Sequence, residues 1–452
     1  MTPHQPAPRE TAPVPASAAR GAASRPVPRG SGTASRAGDP GRPARSRPRR
    51  VRRFAGALRR CAAVLALTAV VSTGLAGASP AHADAIRDRQ WGLEALRAEE
   101  AWRTTRGEGV TVAVLDTGVD DSHPDLSGQV LEGRDFIGFG AARGDRSWAR
   151  HGTAMAGIIA GKGHGPDGTE GVLGIAPGAR ILPVRVILED SDPARKRARG
   201  NRGGALAEGI RWAADQGADV INLSLGDDSE SAHPEPGEDS AVQYALAKGA
   251  VVVASAGNGG EDGDRVSYPA AYPGVIAVTA VDRDGSRAPF STRRWYATVC
   301  APGVDIVIAD PDRRYYEGWG TSAAAAFVSG SAALVRSAHP ELSPAQVKRL
   351  LEDTARDTPP GGRSDALGAG LVDPAGAVEA GAAVSPRPQR PVPAGYGQRY
   401  FGAGPDTSTE EDGAGLPALS AAVAGATLLT TAGVLWRSGR RTRRADLPFP
   451  LR

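Results

Sequence analysis

Cysteine is nearly absent from this sequence, which has two in 452 residues, Cys61 and Cys300. Cys61 lies in an apolar run near the start that we expect to be cleaved off, which would leave Cys300 alone. A single cysteine cannot form an internal disulfide, so a disulfide-rich secreted scaffold is excluded. Cys300 lies in the apolar segment Val299–Gly303, and we interpret it as a packing residue rather than as a second nucleophile.

Recognisable metal-binding motifs are also missing. Asp120, Asp121 and Asp125 lie close together, but the loop of alternating acidic residues with a central glycine that holds calcium does not occur. Acidic turns are more common than calcium sites. The sequence therefore predicts no metal and no cofactor, with a structural calcium ion left open.

An excess of positive charge is confined to the two ends of the chain. The formal net charge is +4, but residues 1–83 carry 14 arginines and two acids, and residues 437–452 carry six arginines and one acid. The part between them therefore has a net charge of roughly −13. Nothing in this distribution indicates a nucleic-acid-binding surface.

The N-terminal end has the features of an export signal. Residues 1–50 are rich in Pro, Arg, Ala, Gly and Ser, which predicts disorder. Arginines then precede the apolar run Cys61–Leu75, and the small-residue site Ala81-His82-Ala83 follows it. We predict a disordered basic leader and signal peptide over 1–83, cleaved after Ala83. A buried core helix is the alternative.

The C-terminal end has the features of a membrane anchor. Leu416–Trp436 carries no charge and is long enough to span a bilayer. Arginines dominate 437–452, which predicts a cytoplasmic tail. The Pro/Gly-rich residues 385–415 indicate a stalk. The sequence thus predicts a single-pass cell-membrane protein whose domain lies outside; an Ala/Gly-rich buried helix is the alternative for the span.

Between the two ends, residues 84–384 alternate apolar strand-like segments with helical ones. Among the predicted helices are Ser240–Lys248, Ser322–Ala338 and one that begins after Ser343. This alternation predicts an α/β domain with a mostly parallel, twisted sheet and helices on both faces. Functional sites in such sheets lie at the carboxyl ends of the strands. Asp116 directly follows the predicted strand Val110–Leu115 and therefore lies at such an end.

Three residues that can act together in nucleophilic catalysis occur along the chain in the order Asp116, His151 and Ser322. They lie in three segments rich in small residues, Val112–Asp120 (VAVLDTGVD), His151–Gly161 (HGTAMAGIIAG) and Gly320–Gly330 (GTSAAAAFVSG). A serine hydroxyl becomes a good nucleophile when an imidazole takes its proton and a buried carboxylate orients the imidazole. In order and in motif, the chain resembles the subtilisin-like serine peptidases from Gln90 to Ala380.

The resemblance implies a role for each of four residues. Ser322 would be the nucleophile, His151 the general base, and Asp116 the group that orients it. Asn258, after an apolar strand, would donate to the oxyanion together with the N–H of Ser322.

The resemblance also implies a peptide-binding cleft, in which the substrate adds as a strand. Ser267 matches the floor of the first specificity pocket, and the small residues around it predict an open pocket. The residues expected to line the cleft are Ser224, Leu225, Gly226, Ala254, Ser255, Ala256 and Gly257.

The chain departs from the subtilisin pattern in several places. Ala323 and Ala326 stand where the family commonly has a larger residue and a proline. Glu189–Gly204 looks like an inserted loop. Gln90 begins a segment that resembles a mature-domain start and follows the signal peptide almost directly, which leaves no room for a pro-domain.

The predicted leader, stalk and span together resemble the mycosins, membrane-anchored peptidases of actinobacterial type VII secretion. The sequence therefore predicts an exported, membrane-anchored serine endopeptidase whose partners are a protein or peptide substrate, the membrane and secretion components. Two alternatives stay open. One is a free extracellular subtilisin, and the other is a structural component of a secretion complex whose peptidase activity is dispensable.

Overall fold

The computed structural model describes residues 25–26, 85–199 and 202–390, and all of these belong to one compact unit that ends at Pro391. The rest of the predicted leader and signal peptide, the stalk beyond Arg390, the transmembrane helix and the tail lie outside the described residues. Among the described residues, no helix has the length and apolarity that a bilayer crossing requires.

Seven strands form a central, fully parallel sheet. The described residues form twelve strands in all, which in chain order are β1 (Arg25–Pro26), β2 (Thr111–Asp116), β3 (Arg134–Asp135), β4 (Lys162–His164), β5 (Glu170–Leu173), β6 (Arg180–Arg185), β7 (Val220–Leu223), β8 (Val251–Ser255), β9 (Ile276–Val281), β10 (Ala297–Pro302), β11 (Ile306–Ala309) and β12 (Tyr315–Gly318). The sheet has the order β10-β9-β8-β7-β2-β6-β3, and every neighbouring pair is parallel. The predicted mostly parallel sheet is confirmed.

The remaining strands form two small antiparallel units. β4 pairs with β5, and β11 pairs with β12, whose other edge pairs with β1.

In chain order the helices are α1 (Trp91–Ala95), α2 (Ala98–Trp102), α3 (Arg150–Ala160), α4 (Arg195–Arg199), α5 (Arg202–Asp215), α6 (Pro236–Ala247), α7 (Thr321–Ala338), α8 (Pro344–Asp353) and α9 (Pro374–Gly381).

Helices cover both faces of the sheet. Val114 of β2 belongs to the same buried cluster as Val328 of α7. The next residue, Leu115, faces α5, because a Cβ placed on Gly209 would lie 3.5 Å from its side chain. Strands that are covered on both sides must be apolar at every position, which explains why β2 is buried without alternation from Val112 onwards.

The long helix α7 lies against the centre of the sheet. Its first turns contain four consecutive alanines, residues 323–326, each at most 4% exposed. Such small side chains let the helix axis approach the strands closely. Ala323 and Ala326, which depart from the family pattern, are therefore packing residues beneath Ser322.

One predicted helix start differs from the observed one, and another is confirmed. The sequence placed one helix from Ser240, but α6 begins four residues earlier, at Pro236. Proline fits there because the first helical N–H needs no partner within the helix. The predicted start of α8 after Ser343 is confirmed, and the side chain of Gln346 accepts a hydrogen bond from the Ser343 N–H.

Candidate active site

Asp116 is the last residue of the central strand β2, whereas the sequence predicted it as the first residue after that strand. Its side chain is fully buried. The imidazole Nδ1 of His151 lies 2.9 Å from both carboxylate oxygens. The backbone N–H of Thr117 also donates to Oδ1 over 2.7 Å. The carboxylate accepts the hydrogen bond from Nδ1 of His151, which keeps the imidazole proton on Nδ1 and leaves Nε2 free to accept one.

His151 lies in the first turn of α3, next to Gly152. A Cβ on Gly152 would lie 2.0 Å from the carbonyl oxygen of Gly118, so only glycine lets this turn pack against the segment that follows β2. The Thr117 hydroxyl accepts from the Gly152 N–H over 3.1 Å. These contacts explain why a small residue follows the histidine in the sequence.

Glu189 is a site residue that the sequence analysis missed. The N-cap residue of α3, Ala149, provides no side-chain hydrogen bond to the first turn. Instead, Oε1 of Glu189 accepts from the backbone N–H of His151 over 2.8 Å. Glu189 was assigned to an inserted loop, and no local pattern in the sequence links it to a helix that begins 39 residues earlier.

The charges around His151 favour its protonated form. Burial by itself would lower the pKa of the imidazole. The charge and hydrogen bond of Asp116, together with the negative charges of Glu189 and Asp190, outweigh burial and raise the pKa of His151 to about 9. The imidazolium that forms when this residue takes a proton is therefore well stabilised.

Ser322 is the second residue of α7, where free backbone N–H groups and the helix dipole favour negative charge. Its hydroxyl donates to the carbonyl oxygen of Ser224 over 3.1 Å, and the Ser224 hydroxyl donates to the Ser322 carbonyl over 2.9 Å. Among the described residues, the structure gives no hydrogen bond between the Ser322 and His151 side chains.

Asn258 is held in place by the residue that precedes Ser322. The backbone N–H and the hydroxyl of Thr321 both donate to Oδ1 of Asn258, over 3.0 and 2.9 Å. With Oδ1 fixed, the Nδ2 amide is directed away from Thr321. Gly320 lies between the two predicted oxyanion donors, because a Cβ placed on it would be 3.7 Å from Asn258 Nδ2 and from Ser322 N.

The residues predicted to line the cleft follow two neighbouring strands. Ser224–Gly226 continues from β7, and Ala254–Gly257 includes the end of β8; the Ser255 hydroxyl donates to the Leu225 carbonyl over 3.3 Å. Gly226 is exposed, whereas Leu225 is 7% exposed. Ser267 is fully buried, and the open pocket around it stays a prediction.

The acidic residues near Asp120 have protein partners. The Asp125 carboxylate accepts from the Val172 N–H over 2.9 Å and from the Tyr315 hydroxyl over 2.8 Å, and it lies 2.6 Å from Nδ1 of His164. Asp120 binds Arg143 over 3.0 Å. No group of three or more His, Cys, Asp and Glu residues in the described part of the chain is arranged to hold a metal ion.

Cys300 is a packing residue, as the sequence indicates. It lies in β10 and is 2% exposed. Burial raises the pKa of its thiol to about 12. Because the thiolate is the reactive form, this residue is a poor nucleophile at ordinary pH.

An imidazole bound to a buried carboxylate and a serine at a helix N-terminus are both features of serine hydrolases. The chain belongs to the subtilase family, whose model matches residues 107–370. The family resemblance drawn from the three motifs is confirmed.

Individual relatives agree with this assignment. Fervidolysin from Fervidobacterium pennivorans is 39% identical over 325 residues, which are 66% of this chain and 45% of fervidolysin; the chain thus spans about half of that relative. Among solved structures, MycP1 from Mycobacterium smegmatis is 31% identical with a TM-score of 0.56, covering 70% of this chain and 88% of MycP1. MycP3, a protease from the type VII (ESX-3) secretion system, is 34% identical with a TM-score of 0.54, covering 64% of this chain and 87% of MycP3.

Proposed function

We propose that this chain is a serine endopeptidase that cleaves peptide bonds with Asp116, His151 and Ser322. The observation that carries the proposal is the Asp116–His151 pair at the carboxyl end of β2. It is supported by Ser322, which contacts Ser224 just after the neighbouring parallel strand β7. The three proposed catalytic residues and Asn258 come from β2, α3, α7 and the segment after β8, and their combination supplies a base, a nucleophile and two oxyanion donors.

In the proposed reaction, Ser322 Oγ turns from the Ser224 carbonyl and gives its proton to Nε2 of His151 as it attacks the substrate carbonyl carbon. The oxyanion accepts hydrogen bonds from the Ser322 N–H and from Asn258 Nδ2. When the tetrahedral intermediate collapses, His151 gives the proton to the leaving amine and the C–N bond breaks. Water, deprotonated by His151, then hydrolyses the acyl-enzyme and releases Ser322.

The pH dependence of kcat/KM should follow the protonation of the His151 imidazole. The imidazole acts as a base only when neutral, so kcat/KM should rise with pH and reach half its plateau at pH about 9. Glu189→Gln keeps an oxygen that can accept from the His151 N–H but removes a negative charge that stabilises the imidazolium. This variant should therefore move the midpoint to lower pH.

Glu99→Gln, on the exposed surface of α2, is the matched control and should leave the midpoint in place. The measurement is kcat/KM for one peptide across a pH series under constant ionic strength. A midpoint that is the same in wild type and Glu189→Gln would show that the carboxylate does not act on the general base.

We infer that the peptidase is exported, tethered to the membrane and coupled to type VII secretion. The uncharged sequence Leu416–Trp436 and the arginines after it support the tether, and the similarity to MycP1 and MycP3 supports the secretion role. The alternative is a structural component of a secretion complex whose peptidase activity is dispensable, and complementation tests it. If the activity is dispensable, Ser322→Ala should restore secretion in a strain that lacks the protein.

The tether is tested by placing charge in the proposed span. Leu428→Arg together with Leu429→Arg should release active enzyme into the medium, because each arginine at the centre of a span costs about 3 kcal/mol. Leu428→Ala with Leu429→Ala is the control and should stay in the membrane pellet after alkaline extraction. A wild-type chain that is already extracted at alkaline pH would favour the free extracellular peptidase.

A further inference from the structure

A cavity away from the proposed catalytic residues is lined mainly by charged side chains. It has a volume of about 440 Å³ and lies between the segment that precedes α1, the end of α2 and the β4–β5 hairpin. Its charged lining consists of four cations, Arg87, Arg103, Arg106 and Lys162, and two acids, Glu99 and Asp167. The cavity therefore has an excess of positive charge, although the chain between its two basic ends is net negative.

Two of the cations are held in the cavity wall by the fold. The Arg87 guanidinium donates to the backbone carbonyl of Gly171 over 3.2 Å. The Arg106 guanidinium lies 4.7 Å from the centre of the Trp102 ring, a position in which the ring attracts a cation. The indole N–H of Trp102 in turn donates to the Ile175 carbonyl over 2.8 Å. A ligand would therefore meet these two charges already ordered, which lowers the entropy cost of binding.

Three of the cations have no polar partner among the described residues. The side chains of Arg103, Arg106 and Lys162 are exposed, and none of them forms a hydrogen bond or an ion pair with a described residue. The two acids of the lining form no ion pair with them either. Because like charges around one cavity repel each other, an anion that contacts all three side chains would relieve this repulsion.

The arrangement of the cations favours a phosphate group. They come from three separate parts of the chain, so an anion in the cavity is approached from several directions. A tetrahedral phosphate has oxygens in three directions, whereas the two oxygens of a carboxylate lie in one plane with its carbon. A phosphate monoester carries about two negative charges near neutral pH, which balances four cations against two acids. The volume is within the range of roughly 300–1,000 Å³ that small-molecule sites have, so the alcohol part of an ester also fits.

We propose that this cavity binds a phosphate monoester. Arg103, Arg106 and Lys162 contact the phosphate oxygens, and Arg87 contributes a fixed positive charge to the wall. The ester belongs either to a soluble molecule or to a membrane lipid of the phosphatidic acid type, and the phosphate chemistry is the same in both. None of the proposed catalytic residues lines the cavity, so failure of the proposed peptidase function would leave this inference standing.

The test measures binding of labelled glycerol 3-phosphate to the full chain in phosphatidylcholine vesicles by equilibrium dialysis. Succinate, a dicarboxylate of similar charge, should compete at least about 10-fold more weakly than unlabelled glycerol 3-phosphate. The vesicle composition distinguishes the two sources of the ester. If the lipid is the ligand, phosphatidic acid in the vesicles should weaken the binding at least about 5-fold relative to phosphatidylglycerol at equal surface charge. Equal binding in the two vesicles would identify a soluble ester.

Charge-neutral variants test the assignment of the site. Arg103→Gln together with Arg106→Gln should weaken glycerol 3-phosphate binding at least about 10-fold, because two charge-assisted contacts are lost. Glu99→Gln should tighten it about 3-fold, because it removes a negative charge from the cavity. Arg349→Gln is the matched control, since Arg349 is an exposed arginine of α8 that does not line the cavity. Peptide turnover should be the same in all of these variants.

Three results would overturn the inference. The first is a folded wild-type protein that binds no glycerol 3-phosphate at millimolar concentration. The second is an affinity that is the same in wild type and in the folded double arginine variant. If that variant does not fold, an unchanged affinity in Glu99→Gln decides against the site. The third is succinate that competes as well as glycerol 3-phosphate, which would show that the cavity does not select phosphate.

Discussion

Replacing Ser322 with alanine should lower kcat by about 10⁶-fold, a magnitude known from a subtilisin, while leaving the fold unchanged. The substitution removes the only atom that can form the acyl-enzyme in the proposed reaction. It costs little packing, because α7 already contains four alanines directly after this position. His151→Ala should have a similar effect, and the double variant should be no worse, because the two residues act as a unit.

Ser331→Ala is the matched control for this loss. Ser331 lies in the same helix, and its hydroxyl donates only to the Phe327 carbonyl, over 2.9 Å. Turnover of a labelled peptide should therefore survive this change. Turnover near the wild-type value in purified Ser322→Ala, with circular dichroism matching wild type, would remove Ser322 from the mechanism.

Replacing Asn258 with alanine should lower kcat by about 10² to 10³-fold with a small change in KM, because one oxyanion donor is lost while the Ser322 N–H remains. Alanine also removes the acceptor for the two Thr321 hydrogen bonds. Asn258→Asp separates the two effects, since aspartate keeps an oxygen for Thr321 but has no amide N–H.

If the donor is what matters, Asn258→Asp should lose at least as much kcat as Asn258→Ala. The measurement is steady-state kcat and KM for one peptide at a pH where His151 is neutral. An aspartate variant with wild-type kcat would show that Asn258 only supports Thr321 and does not stabilise the oxyanion.

The sequence predicted the parts of this molecule that depend on local pattern. The strand Val110–Leu115, predicted one residue too early at each end, and the helix that begins next to Ser322 follow from apolar runs and small-residue motifs. The alternation of such segments indicated the parallel sheet. The exact start of α6 was wrong by four residues, because the pattern of apolar residues does not show which residue begins the first turn.

The contacts that could not be predicted join residues far apart in the chain. Glu189 caps the turn that carries His151, Thr321 orients Asn258, and Ser267 lies between Gly226 and Gly257. Each of these contacts depends on how separate loops meet once the sheet has formed, and no repeating pattern in the sequence indicates it. The open pocket expected around Ser267 depends on the same kind of contact and stays a prediction.

The most direct test of the proposed peptidase function is covalent labelling of the full chain with a fluorophosphonate, followed by mass spectrometry of its peptides. The proposed mechanism predicts a single adduct on the Ser322 hydroxyl. It also predicts that labelling falls sharply in His151→Ala, which lacks the base, and is unchanged in the control Ser331→Ala. A folded wild-type protein that forms no adduct, or forms one at another residue, would contradict the proposal.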